Sequence, residues 1–197
     1  MAFSAGQILQ KWFRQIIRWP LEALFGFGLF FFARLLPVRF ASAAMSGLLG
    51  IVASLTPWHR CALRNLNHAI PALDDAEKER ILRAMWRNLG RVIGEYPHIN
   101  SIVDRGWVEF VGLDHLKTLD GGGFLIGAHI GNWEFGPFAA LTTGKKVAAI
   151  YRPLNNPLLS GLLHRRQETY GGAIYRKGRE AALGRVSALR KGPTMCP

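Results

Sequence analysis

The 197-residue sequence predicts an α/β protein: membrane-associated helices over residues 1–66, then an α/β layer with a mostly parallel sheet over 67–197. Two observations lead to this class. The first 55 residues contain two long apolar runs flanked by basic groups, and beyond residue 100 short strand-like runs alternate with helical patterns. Charge divides the chain in the same way. Lys+Arg number 25 against 13 Asp+Glu, a net charge of +12, shared as +6 over residues 1–66, −3 over 67–144 and +9 over 145–197. Both ends are therefore candidate surfaces for anions, and the middle has the balance of an ordinary soluble domain. An apolar fraction of 49% supports a sizeable core, and 11% aromatic residues exclude a disordered basic tail. No nucleic-acid-binding motif accompanies the charge, so nucleic acid is not expected as a partner. Cys61 and Cys196 lack metal-ligand spacing, and no metal site is expected.

The elements follow in chain order. Lys11, Arg14 and Arg18 precede an apolar run from Ala23 to Ala33, and Arg34 and Pro37 separate it from a second run, Phe40 to Leu55. A bilayer crossing takes about 20 helical residues. The first run reaches that length only if stretched from Leu21 to Leu36, with Glu22 and Arg34 snorkelling at its ends. Trp19 and Trp58 bracket the region as interface anchors. Basic residues lie on every side, so one short span and a re-entrant helix pair fit equally well. From Asp74 the pattern is that of a soluble amphipathic helix. Asp74 and Glu77 have capping-box spacing, and Ile81, Leu82, Met85, Trp86, Leu89, Val92 and Ile93 recur at helical intervals. On the same helix Arg80, Arg83, Arg87 and Arg91 form a basic stripe. A solvated face accounts for it; a contact for an anionic head group or carrier protein is the alternative. Trp107–Val111, Phe124–Ala128, Val147–Tyr151 and Ala173–Tyr175 read as strands. A final amphipathic helix is expected around Ala182, Leu183, Val186 and Leu189.

The chemistry is concentrated in the turn after the second predicted strand, Gly127-Ala128-His129-Ile130-Gly131-Asn132-Trp133-Glu134. It sets a histidine at a strand end and a carboxylate where the next helix begins, the edge at which open α/β sheets gather their active groups. Gly127 and Gly131 permit close backbone approach, Asn132 suits a helix N-cap, and the charge of Glu134 would be favoured by the helix dipole. A histidine oriented by a carboxylate is what a general base needs to take a proton from a hydroxyl attacking an acyl carbonyl. No Gly-x-Ser-x-Gly element offers a covalent nucleophile. A satisfied structural histidine is the plain alternative.

His129-Ile130-Gly131-Asn132-Trp133-Glu134, followed by Tyr151-Arg152-Pro153-Leu154-Asn155-Asn156-Pro157, resembles the bacterial late acyltransferases of lipid A biosynthesis, within the wider glycerolipid acyltransferase superfamily. Leu21-Glu22-Ala23-Leu24, Asn65-Leu66 and the helix from Trp86 to Glu95 extend the resemblance over almost the whole chain. It implies an acyltransferase-type α/β domain and an enzyme of the bacterial inner membrane with its active site on the cytoplasmic side. Acyl carrier protein would be the donor and a lipid A precursor glycolipid the acceptor, with no cofactor. It makes His129 the catalytic base and Glu134 its partner, with Arg152 gripping the acceptor or its phosphate. A guanidinium suits that role through its two parallel donors; a charged turn residue beside Pro153 is the other reading. Asn155, Asn156, Gly131 and Asn132 are second-rank candidates for placing substrate, although Asn-Asn-Pro is also good turn chemistry. Arg165, Arg166, Arg176 and Arg179 are candidates for contact with the acidic carrier or a phosphorylated glycolipid. Relative to the family pattern the chain stops where a further strand is due, so an incomplete layer is expected, with a catalytically inactive lipid- or carrier-binding remnant as the alternative function.

Overall fold

The computed structural model describes residues 5–119, 123–161, 171–178 and 194–196. Helix α1 (Ala5–Phe13) runs through a π-helical turn (Arg14–Arg18) into α2 (Trp19–Leu35). Pro37 precedes α3 (Val38–Val52), which ends in a 3-10 turn (Ala53–Leu55). There follow α4 (Pro57–Ala69), α5 (Asp75–Glu95), α6 (Ile99–Asp104), α7 (Leu113–Lys117) and α8 (Gly136–Leu141). The strands are β1 (Gly123–Phe124), β2 (Lys146–Tyr151), β3 (Gly171–Arg176) and β4 (Thr194–Cys196), ordered β1-β4-β2-β3 with every pairing parallel.

Two helical stretches are long and apolar enough to cross a bilayer, Leu9–Leu35 and Val38–Leu55. The first is longer than the 21–36 stretch expected, because α1, the π turn and α2 are continuous; its 27 residues extend about 40 Å at the usual helical rise. A π turn inserts one extra residue per turn and shifts the faces of α1 and α2 against each other without breaking the rod. At Arg14 the guanidinium carbon lies 5.4 Å from the centroid of Trp19, a cation–π contact across this turn.

The chain divides into two compact units, residues 1–29, 106–128 and 135–197 in one and residues 30–105 and 129–134 in the other. The first contains the sheet. Val147, Ala148 and Ala149 of β2 are buried, as are Phe138 and Ala140 of α8. Three of four predicted strands occur, two of them close to the expected bounds. Trp107–Val111 is not a strand: left-handed Gly106 (φ +66°) and Gly112 (φ +77°) close it at both ends, and Trp107 and Val111 are exposed instead of aligned on a sheet. The Phe124–Ala128 strand is reduced to Gly123–Phe124, and Ile126 is 92% exposed. Thr194–Cys196 is an additional strand, inserted between β1 and β2 with Met195 opposite both Gly123 and Val147. The predicted helix around Ala182 to Leu189 lies outside the described residues.

The second unit is built on α3 and α5. The α5 N-terminus is capped as its spacing predicts, Glu77 N–H donating to Asp74 Oδ1 at 2.8 Å. A Cβ at Gly90 would fall on the backbone of Met45, and one at Gly94 on the Ala41 carbonyl, so the two helices run antiparallel with backbones in direct approach. Only glycine permits that separation. Ala41, Met45, Leu82 and Val92 are buried in this unit. Farther along, Trp86 Nε1–H donates to His59 Nδ1 at 3.1 Å, which requires the proton of a neutral ring to sit on Nε2, 3.1 Å from Glu79 Oε2. Arg83 donates to the other Glu79 oxygen at 2.9 Å. The Arg83 hydrogen bond first, with His59 adding to it, holds the Glu79 carboxyl below its ordinary range, against a desolvation that pushes it up. At the end of α2, buried His98 donates Nε2–H to Ala33 O at 2.8 Å, satisfying a last-turn carbonyl.

Candidate active site

The segment from His129 to Glu134 belongs to the second unit, and two α5 side chains fix it there. Asn132 donates Nδ2–H to Glu95 Oε2 at 2.7 Å, while Ser42 Oγ of α3 donates to Glu95 Oε1 at 2.7 Å. Both carboxylate oxygens of Glu95 are thus engaged, and one acidic side chain ties the segment to α3 and α5 together. About two turns earlier on α5, Asn88 Nδ2 donates to the Gly131 carbonyl at 2.9 Å. Gly131 has φ +58°, in the left-handed region that a side chain would strain. Asn132 serves the expected capping function as well. Its Oδ1 accepts from Glu134 N–H at 3.2 Å, at the start of a 3-10 turn (Trp133–Phe135) that runs into α8. Glu134 lies in the first turn, where the helix dipole favours a negative charge.

His129 is exposed, and its ring centroid lies 4.8 Å from that of Trp133 with the planes inclined at 57°. The indole, four residues on, limits the ring's orientations. Ile130, between the histidine and the glycine, is 80% exposed. A histidine open to solvent on a segment held by hydrogen bonds to α5 is accessible for proton transfer. Among the described residues no group of three or more His, Cys, Asp or Glu is placed to hold a metal.

The remaining candidates lie in the first unit. Arg152 follows the last residue of β2 and is exposed. Arg176 ends β3, opposite Tyr151 in the parallel register, so both guanidiniums start from the carboxyl edge of neighbouring strands. Asn155 is exposed, whereas Asn156 is buried. The Asn156 amide donates to Trp19 O at 2.8 Å and Glu22 Oε2 at 3.2 Å, and its oxygen accepts from Leu158 N–H at 3.0 Å. Glu22 also pairs with Arg18 at 2.7 Å. Asn156 thereby tethers the loop after β2 to the first turn of α2. Arg165, Arg166 and Arg179 lie outside the described residues.

Glu95, Asn88, Trp133 and Glu22 are the residues that sequence reasoning did not select for the site. Glu22 and Glu95 fall inside segments that carried the resemblance, and each bonds an asparagine of another such segment, Glu22 with Asn156 and Glu95 with Asn132. Trp133 had a local signal, its spacing of four from His129.

The first unit contains arginines at the carboxyl edge of a parallel sheet, the second an exposed histidine on a segment bonded to α5, and two helical stretches are apolar and long enough to cross a bilayer. The family of bacterial lipid A biosynthesis acyltransferases matches residues 10–196, and the chain belongs to that family. No curated protein and no solved structure matches it.

Proposed function

We propose that this chain moves a fatty acyl group from an acyl carrier protein thioester to a hydroxyl of a lipid A precursor, at the cytoplasmic face of the bacterial inner membrane, with His129 as base. The observation that carries this reading is the exposed His129 on a segment anchored through Asn132 to Glu95, in a chain of the lipid A acyltransferase family. His129 accepts the hydroxyl proton as that oxygen bonds to the thioester carbonyl carbon. The tetrahedral intermediate then collapses, the C–S bond breaks, and the imidazolium returns its proton to the departing thiolate. Backbone N–H groups about Gly131 are the donors assigned to the oxyanion, a role in which one donor contributes about 2.7–4 kcal/mol. Glu134 is the carboxylate that balances the imidazolium, and Trp133 restricts the ring. Arg152 takes a phosphate of the acceptor, with Asn155 beside it in the loop and Asn156 holding that loop to α2. Arg165, Arg166, Arg176 and Arg179 form the contact for the acidic carrier. No cofactor enters the reaction.

The carrier assignment is tested by reversing Arg165 and Arg166 to Glu in the full chain and measuring transfer from carrier thioester against ionic strength. The rate should fall, most at low salt, where unlike charges steer the encounter. An unchanged rate and salt dependence removes these residues from the carrier surface.

A further inference from the structure

The arginines on the α3–α5 pair are not equivalent. On α5, Arg80 faces Glu77 at 3.9 Å and Arg83 bonds Glu79 at 2.9 Å, so the first half of the stripe is neutralised within its own helix. Arg87 and Arg91, and Arg39 across on α3, form no ion pair among the described residues, and all three are exposed. They line two pockets along the groove between these antiparallel helices. Arg39, Ser42, Ser46, Arg91 and Glu95 line the one, and Gly47, Gly50, Ser54, Glu79, Arg83 and Arg87 the other. A Cβ at Gly50 would lie 3.0 Å from Arg87 Cγ and 3.5 Å from Nε, so this glycine gives the arginine stem a bed on α3. Small residues and hydroxyls line both pockets on the α3 side; on the α5 side Glu79 is taken up by Arg83 and Glu95 by Ser42 and Asn132, which leaves Arg39, Arg87 and Arg91 as their cations without an ion-pair partner among the described residues.

The surroundings identify the occupant. Ile51 lines the groove and is 69% exposed, and with Phe40, Val52 and Leu55 it belongs to an apolar helix face left open to solvent. An acidic protein offers carboxylates and no reason for such a face. A bilayer offers both parts at once, phosphates at the surface and acyl chains directly beneath. Burying α3 across a bilayer would drag the charged stripe of α5 into hydrocarbon, since Gly90 and Gly94 fix the two helices backbone to backbone. Lying in the interface plane, α3 immerses its apolar face and leaves the arginines at head-group level. We infer that the α3–α5 groove binds the phosphate of anionic bilayer phospholipids through Arg39, Arg87 and Arg91, making this helix pair an in-plane membrane platform. The inference rests on the membrane reading of the chain but not on acyl transfer. Because Glu95 lines the same end of the groove as Arg91, the platform sits beside the anchor of the His129 loop.

The test uses the full chain in neutral detergent micelles, with labelled phosphatidylglycerol or phosphatidylcholine added and bound lipid counted after gel filtration. Phosphatidylglycerol should be retained in preference, and Arg39→Gln/Arg87→Gln/Arg91→Gln should weaken it roughly 10²-fold, about fivefold per arginine. A charge-matched control, Lys117→Gln/Lys146→Gln/Lys177→Gln, should bind as the parent does. Equal retention of the two lipids by the parent, displacement by millimolar inorganic phosphate, or a loss in the triple variant of carrier-protein binding with lipid retention intact would each overturn the inference. A head-group photo-crosslinking phosphatidylglycerol gives a second measurement on the unmutated chain. Labelled peptides should fall within residues 38–54 and 79–95, and labelling confined elsewhere contradicts the site. Neither measurement depends on catalysis, so loss of acyl transfer with lipid retention intact would separate the two readings.

Discussion

Asn132 does two jobs with one side chain: its oxygen caps the turn holding Glu134, and its amide grips Glu95. Asn132→Asp keeps the capping oxygen and removes the donor, so two carboxylates would face each other across 2.7 Å. Such a change leaves a partly buried acceptor unpaired, at a cost of about 1–3 kcal/mol. It should therefore cut transfer at least tenfold while membrane association is retained, and Glu95→Gln, which still accepts one bond, should be milder. Activity equal to the parent in Asn132→Asp would show that the anchor does not govern the loop. The Asn132 cap was readable from sequence because it acts on a residue two positions away, whereas the close backbone approach expected at Gly127 and Gly131 is not seen, a Cβ at either meeting open space. The segment's anchors were not readable, since Asn88 and Glu95 lie 43 and 37 residues away from their partners and no local periodicity relates them.

At the scale of elements, the α3–α5 contact depends on what Gly90 and Gly94 lack. Gly90→Ala or Gly94→Ala would force the helices apart at a backbone carbonyl, and overpacking of this kind costs about 1–3 kcal/mol. Both should lower the thermal unfolding midpoint in detergent, whereas Gly47→Ala, with open space at its Cβ, should change it little. Glu79 adds a pH dependence to the same helix. Its folded carboxyl titrates below the unfolded one, so its contribution is full above the unfolded value and lost as pH falls through the folded value. The side chain is about a third exposed (35%), which limits the effect to about 1 kcal/mol or less. Glu79→Gln should accordingly flatten the stability profile on the acid side and leave its neutral side nearly level. The amphipathic face and cap of α5 were legible in the spacing of Leu82, Val92 and their neighbours. The failure of Trp107–Val111 to form a strand was legible only in part, through Gly106 and Gly112; apolar β-formers alone do not supply the neighbouring strand that a ladder needs. Strand β4, three residues between two parallel neighbours, is too short to carry a periodic signal.

For the whole molecule, the apolar α1–α2 rod and the open face of α3 together predict an association that electrostatics alone does not explain. The protein should remain with membranes through high-salt and carbonate washes; release by salt would leave only charge adhesion. Family membership fixes the class of reaction, and His129 is where the account stands or falls. The most direct test supplies the full chain with an acyl carrier protein thioester and a lipid A precursor and follows the acceptor by mass spectrometry. The acceptor should gain the mass of one acyl group. His129→Ala should lower that rate by about 10²–10⁴, and His129→Ala/Glu134→Ala should be scarcely slower than the poorer single variant, as for groups that act as one unit. A folded, membrane-bound His129→Ala protein that acylates at the parent rate would contradict the account.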